Sequence, residues 1–227
     1  MGVQVYGHWG PPVLVFPTSA GDEHEYEGMG MIPGLAHHIE AGRVKFYCVD
    51  STNNDSWLDD DAHPRHQSWI QAMYDAYIVN EVVPFIRNDC QSSDMRITTT
   101  GSSFGAYHAA NTLFKHPDAF ERCLALSGVY DLSRYADGDT DENFYFNNPA
   151  HYMANLNDER TIADLRNCDI RLATGHGPWE DSEPTYQMSE ILHARSIPHS
   201  VDDWGAMGGH DWPYWKYQMD QYIQRLF

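Results

Sequence analysis

Seven short apolar segments alternate with helical patterns along the chain, and this alternation restricts the possible folds more than any other feature. The segments span 3–7, 13–17, 44–50, 95–101, 122–128, 169–175 and about 199–203. The first two are predicted to form a pair of strands, with the turn-forming Gly10-Pro11-Pro12 between them instead of a helix. Helical patterns occupy about 33–41, the residues from Ser68 onward, 104–115, 161–167, 183–196 and the residues from about 212. Strands joined through helices need right-handed crossovers, which give a mainly parallel sheet with helices on both faces. We therefore predict one α/β domain over residues 1–227.

The composition argues against several classes of partner. The 227 residues are 42% hydrophobic, which suits a folded globular protein, and their formal net charge is −19. Such an acidic surface repels phosphate backbones and anionic lipid head groups, so we expect no nucleic-acid partner and no membrane partner. No apolar stretch approaches the roughly 20 residues that span a bilayer. The oligomeric state is left open by the sequence.

Two features favour a cytoplasmic location. The first ten residues, MGVQVYGHWG, lack the basic region and apolar core of a signal peptide. The four cysteines are far apart and show no paired spacing, which favours reduced thiols over disulfides or a zinc site.

The segment GSSFG, residues 101–105, connects an apolar strand directly to a helix. In a nucleophile elbow, a serine occupies the sharp turn and glycines two residues away on each side allow the helix to press against the strand. Ser103 has this position between Gly101 and Gly105, whereas Ser102 lacks glycine on both sides. A tight turn with inert serines is the alternative, but the strand-to-helix context favours Ser103 as a nucleophile.

A serine nucleophile needs a histidine base and an orienting carboxylate, and chain order distinguishes among the thirteen histidines. In serine hydrolases of α/β fold the nucleophile is followed by the acid and then by the histidine. His210 lies in the glycine-rich segment GAMGGHDWPYW, after the last predicted strand and before the last helix, where the base is expected. His176 occupies the place expected for the acid, and His108 lies on the helix after the elbow.

The acid is expected after the segment DIRLATG, where two carboxylates are adjacent. Glu180 and Asp181 both follow His176 by a few residues, and either side chain could instead favour the start of the helix that follows Ser182. Spacing leaves both carboxylates open as the triad acid.

Four segments resemble the esterase D-like, or "putative esterase", branch of the α/β-hydrolase superfamily. They are GSSFGAYHAANTLFKHPDAF, ALSGVYDL, FYFNNPAHY and GGHDWPYW, and the similarity runs over nearly the whole chain. The resemblance implies an α/β-hydrolase fold and a serine carboxylic-ester hydrolase that acts on a small-molecule ester and needs no cofactor and no metal. The family's catalytic pattern matches this sequence at Ser103, which would be the nucleophile, and at His210, which would be the base. An aromatic residue followed by Glu is frequent at the acid position in the family, which favours Glu180 over Asp181.

The resemblance also extends to the residues that would bind the oxyanion. Residues 17–21, PTSAG, are similar to the family's oxyanion loop. We expect the backbone N–H groups of Phe104 and of Ser19 or a close neighbour to hold the tetrahedral oxyanion.

The stretch 131–158 is too long for an ordinary connection and carries several aromatic residues. One interpretation is a cap-like insertion over Ser103, in which Phe144 and Phe146 line a substrate pocket. The other is a satellite hydrophobic cluster beneath a long loop.

Three alternatives to an ester hydrolase remain at the sequence level. An acyltransferase would use the same residues with another acceptor, and a catalytically silent binding protein could retain the fold. A metal-dependent hydrolase is disfavoured because no His-Glu-x-x-His spacing occurs. His37 and His38 are adjacent, and from a regular helix we expect them not to reach one metal ion easily.

Overall fold

A computed structural model describes residues 1–136 and 138–227, and its strands form one seven-stranded sheet. The strands are β1 (Val3–Tyr6), β2 (Pro12–Phe16), β3 (Lys45–Val49), β4 (Ile97–Ser102), β5 (Phe120–Leu126), β6 (Asp169–Thr174) and β7 (Ser200–Asp203). Their order across the sheet is β1-β3-β2-β4-β5-β6-β7. β1 is antiparallel to β3, and every other neighbouring pair is parallel.

The helices cover both faces of this sheet. They are α1 (Glu25–Gly28), α2 (Met31–Gly34), α3 (Ala36–Glu40), α4 (Pro64–Tyr77), α5 (Val83–Asp89), α6 (Phe104–Lys115), α7 (Glu142–Tyr145), α8 (Pro149–Tyr152), α9 (Glu159–Leu165), α10 (Glu183–Ala194) and α11 (Trp212–Leu226). A π-helical segment, Ile78–Val82, joins α4 to α5, and short 3₁₀ helices lie at Asn53–Asp55, Ser133–Tyr135, Met153–Asn155 and Gly205–Met207. Throughout the described residues, each helix is too short or too polar to cross a bilayer.

The predicted α/β architecture is confirmed, with one rearrangement at the start of the chain. β3 lies between β1 and β2, although β1 and β2 are consecutive in sequence. The connection between them passes over the amino end of β3. A Cβ on Gly10 would lie only 2.7 Å from the Gly42 carbonyl oxygen and from the Val44 nitrogen. Gly10 also has a φ of 112°, so a side chain there would be strained as well as crowded.

The first long helix begins four residues earlier than the sequence pattern predicts, at Pro64 instead of at Ser68. His63 is the N-cap, and its Nδ1 accepts a hydrogen bond from the Arg65 N–H. Proline suits the first helical position because it has no N–H to leave unpaired. Ser68 is buried, and its hydroxyl donates to the Arg65 carbonyl and to Asp141 Oδ1.

Two hydrophobic clusters bury the faces of the sheet. On one face, the strands pack against α4, α5, α6 and α10 through residues that include Phe16, Tyr74 and Phe114. On the other face, they pack against α1 to α3 and α11 through residues that include Phe46 and Tyr222. All six residues of β4 are buried, so this central strand is a rigid base for the residue that follows it.

Candidate active site

The connection from β4 to α6 consists of one residue, Ser103. Its backbone has φ 56° and ψ −119°, a region that non-glycine residues rarely occupy. The Ser103 N–H donates to the Leu126 carbonyl of β5 at 2.9 Å, which holds the turn in this conformation. Ser102 is buried at the end of β4, whereas Ser103 is partly exposed. The strained turn therefore lifts the Ser103 hydroxyl out of the core.

Gly101 and Gly105 are needed for this turn because backbone segments lie against both. A Cβ on Gly101 would lie 2.3 Å from the Gly105 carbonyl group, and a Cβ on Gly105 would lie 2.3 Å from the Phe16 carbonyl oxygen. Real Cβ contacts are never so short. The two glycines thus bring α6 against β4 and against the end of β2, as the sequence motif predicts.

His210 lies opposite the Ser103 hydroxyl. Its Nε2 is 2.9 Å from Ser103 Oγ, although 107 residues separate the two in sequence. The imidazole packs edge-on against Trp215, with ring centroids 5.2 Å apart. Trp215 is itself fixed by a hydrogen bond from its Nε1 to Ser127 Oγ at the end of β5. This packing and hydrogen bonding limit rotation of the His210 ring.

Glu180 lies on the other side of the imidazole. Its Oε2 is 3.5 Å from His210 Nδ1, and its side chain has no solvent exposure. The Thr174 hydroxyl donates to Oε1 at 2.9 Å, whereas Oε2 has no hydrogen-bond partner among the described residues. The carboxylate therefore has one oxygen fixed by the sheet and one directed at His210.

Asp181 has a different position. It is exposed, and its Oδ1 accepts a hydrogen bond from the Glu183 N–H at the start of α10. This is the helix-end role that the sequence left open for either carboxylate. Trp179, just before Glu180, has a φ of 57° and is 83% exposed, so an unusual backbone turn separates the two acids from the preceding loop.

Two glycine-rich loops hold Glu180 and His210 together. A Cβ on Gly175 would lie 2.4 Å from the Gly208 carbonyl oxygen, so the loops cross in close backbone contact. The Gly177 N–H donates to the Gly208 carbonyl at 2.7 Å, and the His210 N–H donates to the Pro178 carbonyl at 3.0 Å. The relative positions of Glu180 and His210 are therefore set by main-chain contacts.

The loop after β2 lies beside the elbow. Phe16 pairs with Gly101 in the sheet, and a Cβ on Gly105 would also lie 2.7 Å from the Pro17 carbonyl oxygen. The PTSAG loop therefore begins in contact with the first turn of α6. Among the described residues, neither the Phe104 N–H nor the Ser19 N–H donates to a protein acceptor.

A partly buried carboxylate that the sequence did not indicate closes this loop. Glu25 accepts the Thr18 N–H at 2.8 Å through Oε2 and the Thr18 hydroxyl at 2.5 Å through Oε1. Burial raises the pKa of the Glu25 carboxyl, and the two hydrogen bonds from Thr18 oppose that rise only in part. No motif marks Glu25, because its role depends on how the chain folds back over seven residues.

The other candidate histidines lie elsewhere. His176 is exposed and pairs with Asp203, with 3.0 Å between Nε2 and Oδ2. His108 is buried beneath the elbow and contacts Asn53 Oδ1 through Nε2 at 2.7 Å. Burial lowers the pKa of His108 to about 3, so the ring is neutral at physiological pH.

The Asn53 side chain also donates to the Thr18 carbonyl at 3.4 Å, a second link to the PTSAG loop that sequence reasoning missed.

The segment 131–158 forms short helices that pack beside the elbow. Phe144 is buried in a cluster with Phe104 and Trp57, and its ring is perpendicular to the Trp57 ring at 5.8 Å. Phe146 is 48% exposed and contacts Tyr145. The two phenylalanines are therefore in different environments. Their role in a substrate pocket stays a prediction, as does the cap-like function of the segment.

A cavity of about 740 Å³ opens at the opposite end of the sheet. Residues at the amino ends of the strands line it, including Trp9, Lys45 and Arg96. Ser103 and the glycine-rich loops lie at the carboxyl ends, where ligands bind in open α/β sheets. This cavity is therefore separate from the candidate active site.

Sequence comparison assigns the family. The family model described as "Putative esterase" matches residues 46–226, which is most of the chain. The chain belongs to this family. Membership confirms the prediction of a carboxylic ester hydrolase from the resemblance, while the PTSAG loop precedes the matched residues. No curated protein sequence shows significant similarity to the chain.

Solved structures with the same fold include several hydrolases. A ferulic acid esterase is 18% identical with a TM-score of 0.72, and the match covers 96% of this chain and 86% of that one. The fluorophosphonate-binding serine hydrolase FphF of Staphylococcus aureus is 16% identical with a TM-score of 0.69, and the match covers 95% of this chain and 83% of FphF. An S-formylglutathione hydrolase of Agrobacterium tumefaciens is 15% identical with a TM-score of 0.67, and the match covers 98% of this chain and 87% of that hydrolase. At these identities the likeness establishes the α/β-hydrolase fold.

Proposed function

We propose that this esterase-family protein hydrolyses carboxylic esters through Ser103, His210 and Glu180, with an acyl-enzyme intermediate. The observation that carries the proposal is the 2.9 Å contact between Ser103 Oγ and His210 Nε2 at a strained strand-to-helix turn. A serine hydroxyl is a weak nucleophile on its own, and an adjacent base removes its proton as it attacks.

The first half of the reaction forms the acyl-enzyme. Ser103 Oγ attacks the ester carbonyl carbon while its proton moves to His210 Nε2. The carbonyl oxygen becomes an oxyanion, for which the Phe104 and Ser19 N–H groups are the candidate donors. Collapse of the tetrahedral intermediate breaks the bond to the leaving oxygen, and His210 gives its proton to the departing alcohol. Each oxyanion donor typically contributes about 2.7–4 kcal/mol to such a transition state.

The second half regenerates the serine. A water molecule gives a proton to His210 Nε2 as it attacks the acyl carbon, and the proton then passes to Ser103 Oγ as the carboxylic acid leaves. When His210 is protonated it carries a positive charge, which the nearby Glu180 carboxylate stabilises. The 3.5 Å separation is longer than an ordinary hydrogen bond, and such contacts often tighten when substrate binds.

A small-molecule ester is the proposed substrate class. Family membership supports it, and the net charge of −19 disfavours polyanionic substrates. Transfer of the acyl group to another alcohol differs only in the acceptor, so acyl transfer is the second candidate. Hydrolysis is favoured because the Ser103 side of the site is partly open to water.

Covalent labelling tests the nucleophile directly. We expect a fluorophosphonate probe to add one mass equivalent to the wild-type protein and none to Ser103→Ala. Ser102→Ala is the matched control and should label like wild type, because Ser102 is buried on β4. Hydrolysis of p-nitrophenyl acetate should be lost in Ser103→Ala and unaffected by EDTA. Equal labelling of Ser103→Ala would reassign the nucleophile, and absence of both labelling and turnover in wild type would favour a silent binding protein.

A further inference from the structure

Three potential metal ligands converge outside the candidate active site. His37 and His38 belong to α3, and Asp220 belongs to α11. Asp220 Oδ1 lies 3.4 Å from His37 Nε2 and 3.1 Å from His38 Nε2. We propose that these three residues, the α3–α11 cluster, bind one divalent transition-metal ion such as Zn²⁺.

The spacing of the three atoms fits tetrahedral coordination. Zn²⁺ binds imidazole nitrogen and carboxylate oxygen at about 2.0–2.2 Å, which places neighbouring ligand atoms about 3.3 Å apart in a tetrahedron. The two distances to Asp220 Oδ1 bracket this value, and all three ligand atoms lie within 4.8 Å of one another. An ion can therefore reach all three with small side-chain adjustments, and a water molecule would complete the coordination.

The structure overturns the sequence argument against the two adjacent histidines. Successive residues on a regular helix point about 100° apart, which led us to expect divergent rings. Instead, the imidazole centroids of His37 and His38 are only 3.9 Å apart, and both Nε2 atoms face Asp220. Asp220 is 182 residues from His38, so its position could not enter a local argument.

The ligand types indicate the class of ion and its affinity. Imidazole with carboxylate suits Zn²⁺, Cu²⁺ or Ni²⁺, whereas Ca²⁺ and Mg²⁺ prefer oxygen ligands. The Gln221 side chain donates to Asp220 Oδ2 at 3.3 Å, which helps to orient the carboxylate. His38 Nδ1 is buried and has no hydrogen-bond partner within the described part of the chain, so it lacks the second hydrogen bond that strengthens many histidine ligands. We therefore expect a micromolar dissociation constant.

The position of the cluster indicates a structural role. Asp220 lies eight residues into α11, about 12 Å along the helix from Trp212. An ion there would join α3 to α11, and both helices pack on the same face of the sheet. Binding would stabilise the folded state without contacting an ester at Ser103, so the proposal is independent of the proposed catalytic function.

Titration of metal-free protein without an affinity tag tests the site. We expect one equivalent of Zn²⁺ to bind by calorimetry, and Co²⁺ to give the strong visible absorption of a tetrahedral ion. A free Zn²⁺ concentration of 100 times Kd should raise the Tm by about 5 °C. Asp220→Asn and His37→Gln should each weaken binding at least about tenfold. His37 is exposed, so its variant should fold normally.

His193→Gln is the matched control, because His193 is an exposed histidine on α10. It should bind Zn²⁺ like wild type, which separates the cluster from general binding to the thirteen histidines. The proposal is overturned if wild type shows no saturable binding at one equivalent. It is also overturned if Asp220→Asn and His37→Gln bind as tightly as wild type.

Discussion

The Glu180 carboxylate lies 3.5 Å from His210 Nδ1, on the opposite side of the imidazole from Ser103. Glu180→Gln should therefore lower kcat by about 10⁴, because a misoriented or wrong-tautomer histidine costs that much in a comparable triad. Glutamine preserves the shape and can still accept the Thr174 hydroxyl, so the Tm should change little. Steady-state kinetics on p-nitrophenyl acetate, with a thermal melt, measure both effects.

Asp181→Asn is the matched control for the acid. Asp181 is exposed and accepts a hydrogen bond from the start of α10, so its variant should keep near wild-type kcat. A helix-end charge contributes about 0.3–1 kcal/mol, which predicts a slight loss of stability. A large loss of kcat in Asp181→Asn together with an active Glu180→Gln would make Asp181 the acid.

Glu25→Gln should lower kcat about 10- to 100-fold with little change in KM. Glutamine has an NH2 group in place of one of the two carboxylate oxygens that accept from Thr18, so the PTSAG loop loses a charge-assisted hydrogen bond of about 1.5–3 kcal/mol. Glu27→Gln is the control, since Glu27 lies on the same helix and its side chain accepts a hydrogen bond from the Tyr6 hydroxyl instead of from the PTSAG loop. Equal kcat values for the two variants would show that Glu25 does not position the loop.

Asp75 gives a prediction for stability as a function of pH. It accepts a hydrogen bond from His116 Nε2 at 3.1 Å and pairs with Lys115 Nζ at 2.9 Å, which links α4 to the end of α6. Burial acts to raise the pKa of the Asp75 carboxyl, but the hydrogen bond from His116 and the Lys115 charge outweigh burial and lower it. The ionised Asp75 carboxylate thus stabilises the folded protein fully at pH values above its unfolded-state pKa, near 3.9. This stabilisation is lost as the pH falls through the lower folded-state pKa.

Asp75→Asn should consequently reduce the free energy of unfolding by about 1.5–3 kcal/mol at pH 7. The difference from wild type should shrink as the pH falls below about 4, where the Asp75 carboxyl of the unfolded wild-type protein begins to gain a proton. Urea titrations at a series of pH values measure it, with the exposed Asp118→Asn as control. A difference that stays constant down to acid pH would exclude the ionised carboxylate as its source.

Phe144 and Phe146 should behave differently when replaced by Ala. Phe144 is 1% exposed, so Phe144→Ala should cost about 3–5 kcal/mol of stability. Phe146 is 48% exposed, so Phe146→Ala should leave stability nearly unchanged. If the 131–158 segment forms a cap, Phe146→Ala should also change the ratio of kcat/KM between p-nitrophenyl butyrate and acetate. An unchanged ratio would assign the segment to packing alone.

Local patterns in the sequence determined the fold class and the elbow. The seven predicted strands all occur, with bounds that shift by at most two residues. Hydrophobic periodicity and the residue types that favour turns are properties of a few adjacent residues, so they can be recognised in the sequence directly. The same holds for Ser103, because Gly101 and Gly105 make the turn within five residues.

Only the tertiary structure decided which side chains meet across the sheet. Chain order placed His210 and a carboxylate near Ser103, and the family resemblance favoured Glu180. The crossing of the loops at Gly175 and Gly208 is what brings Glu180, and not Asp181, to the imidazole. Glu25 beneath the PTSAG loop and Asp220 beside His38 were likewise invisible to sequence patterns. The physical reason differs with the element. Glu180 lies on a loop, where side chains have no periodic position, so backbone contacts between loops set its direction. Glu25 and Asp220 lie on helices, where the local pattern does not specify which side chain of another segment they meet.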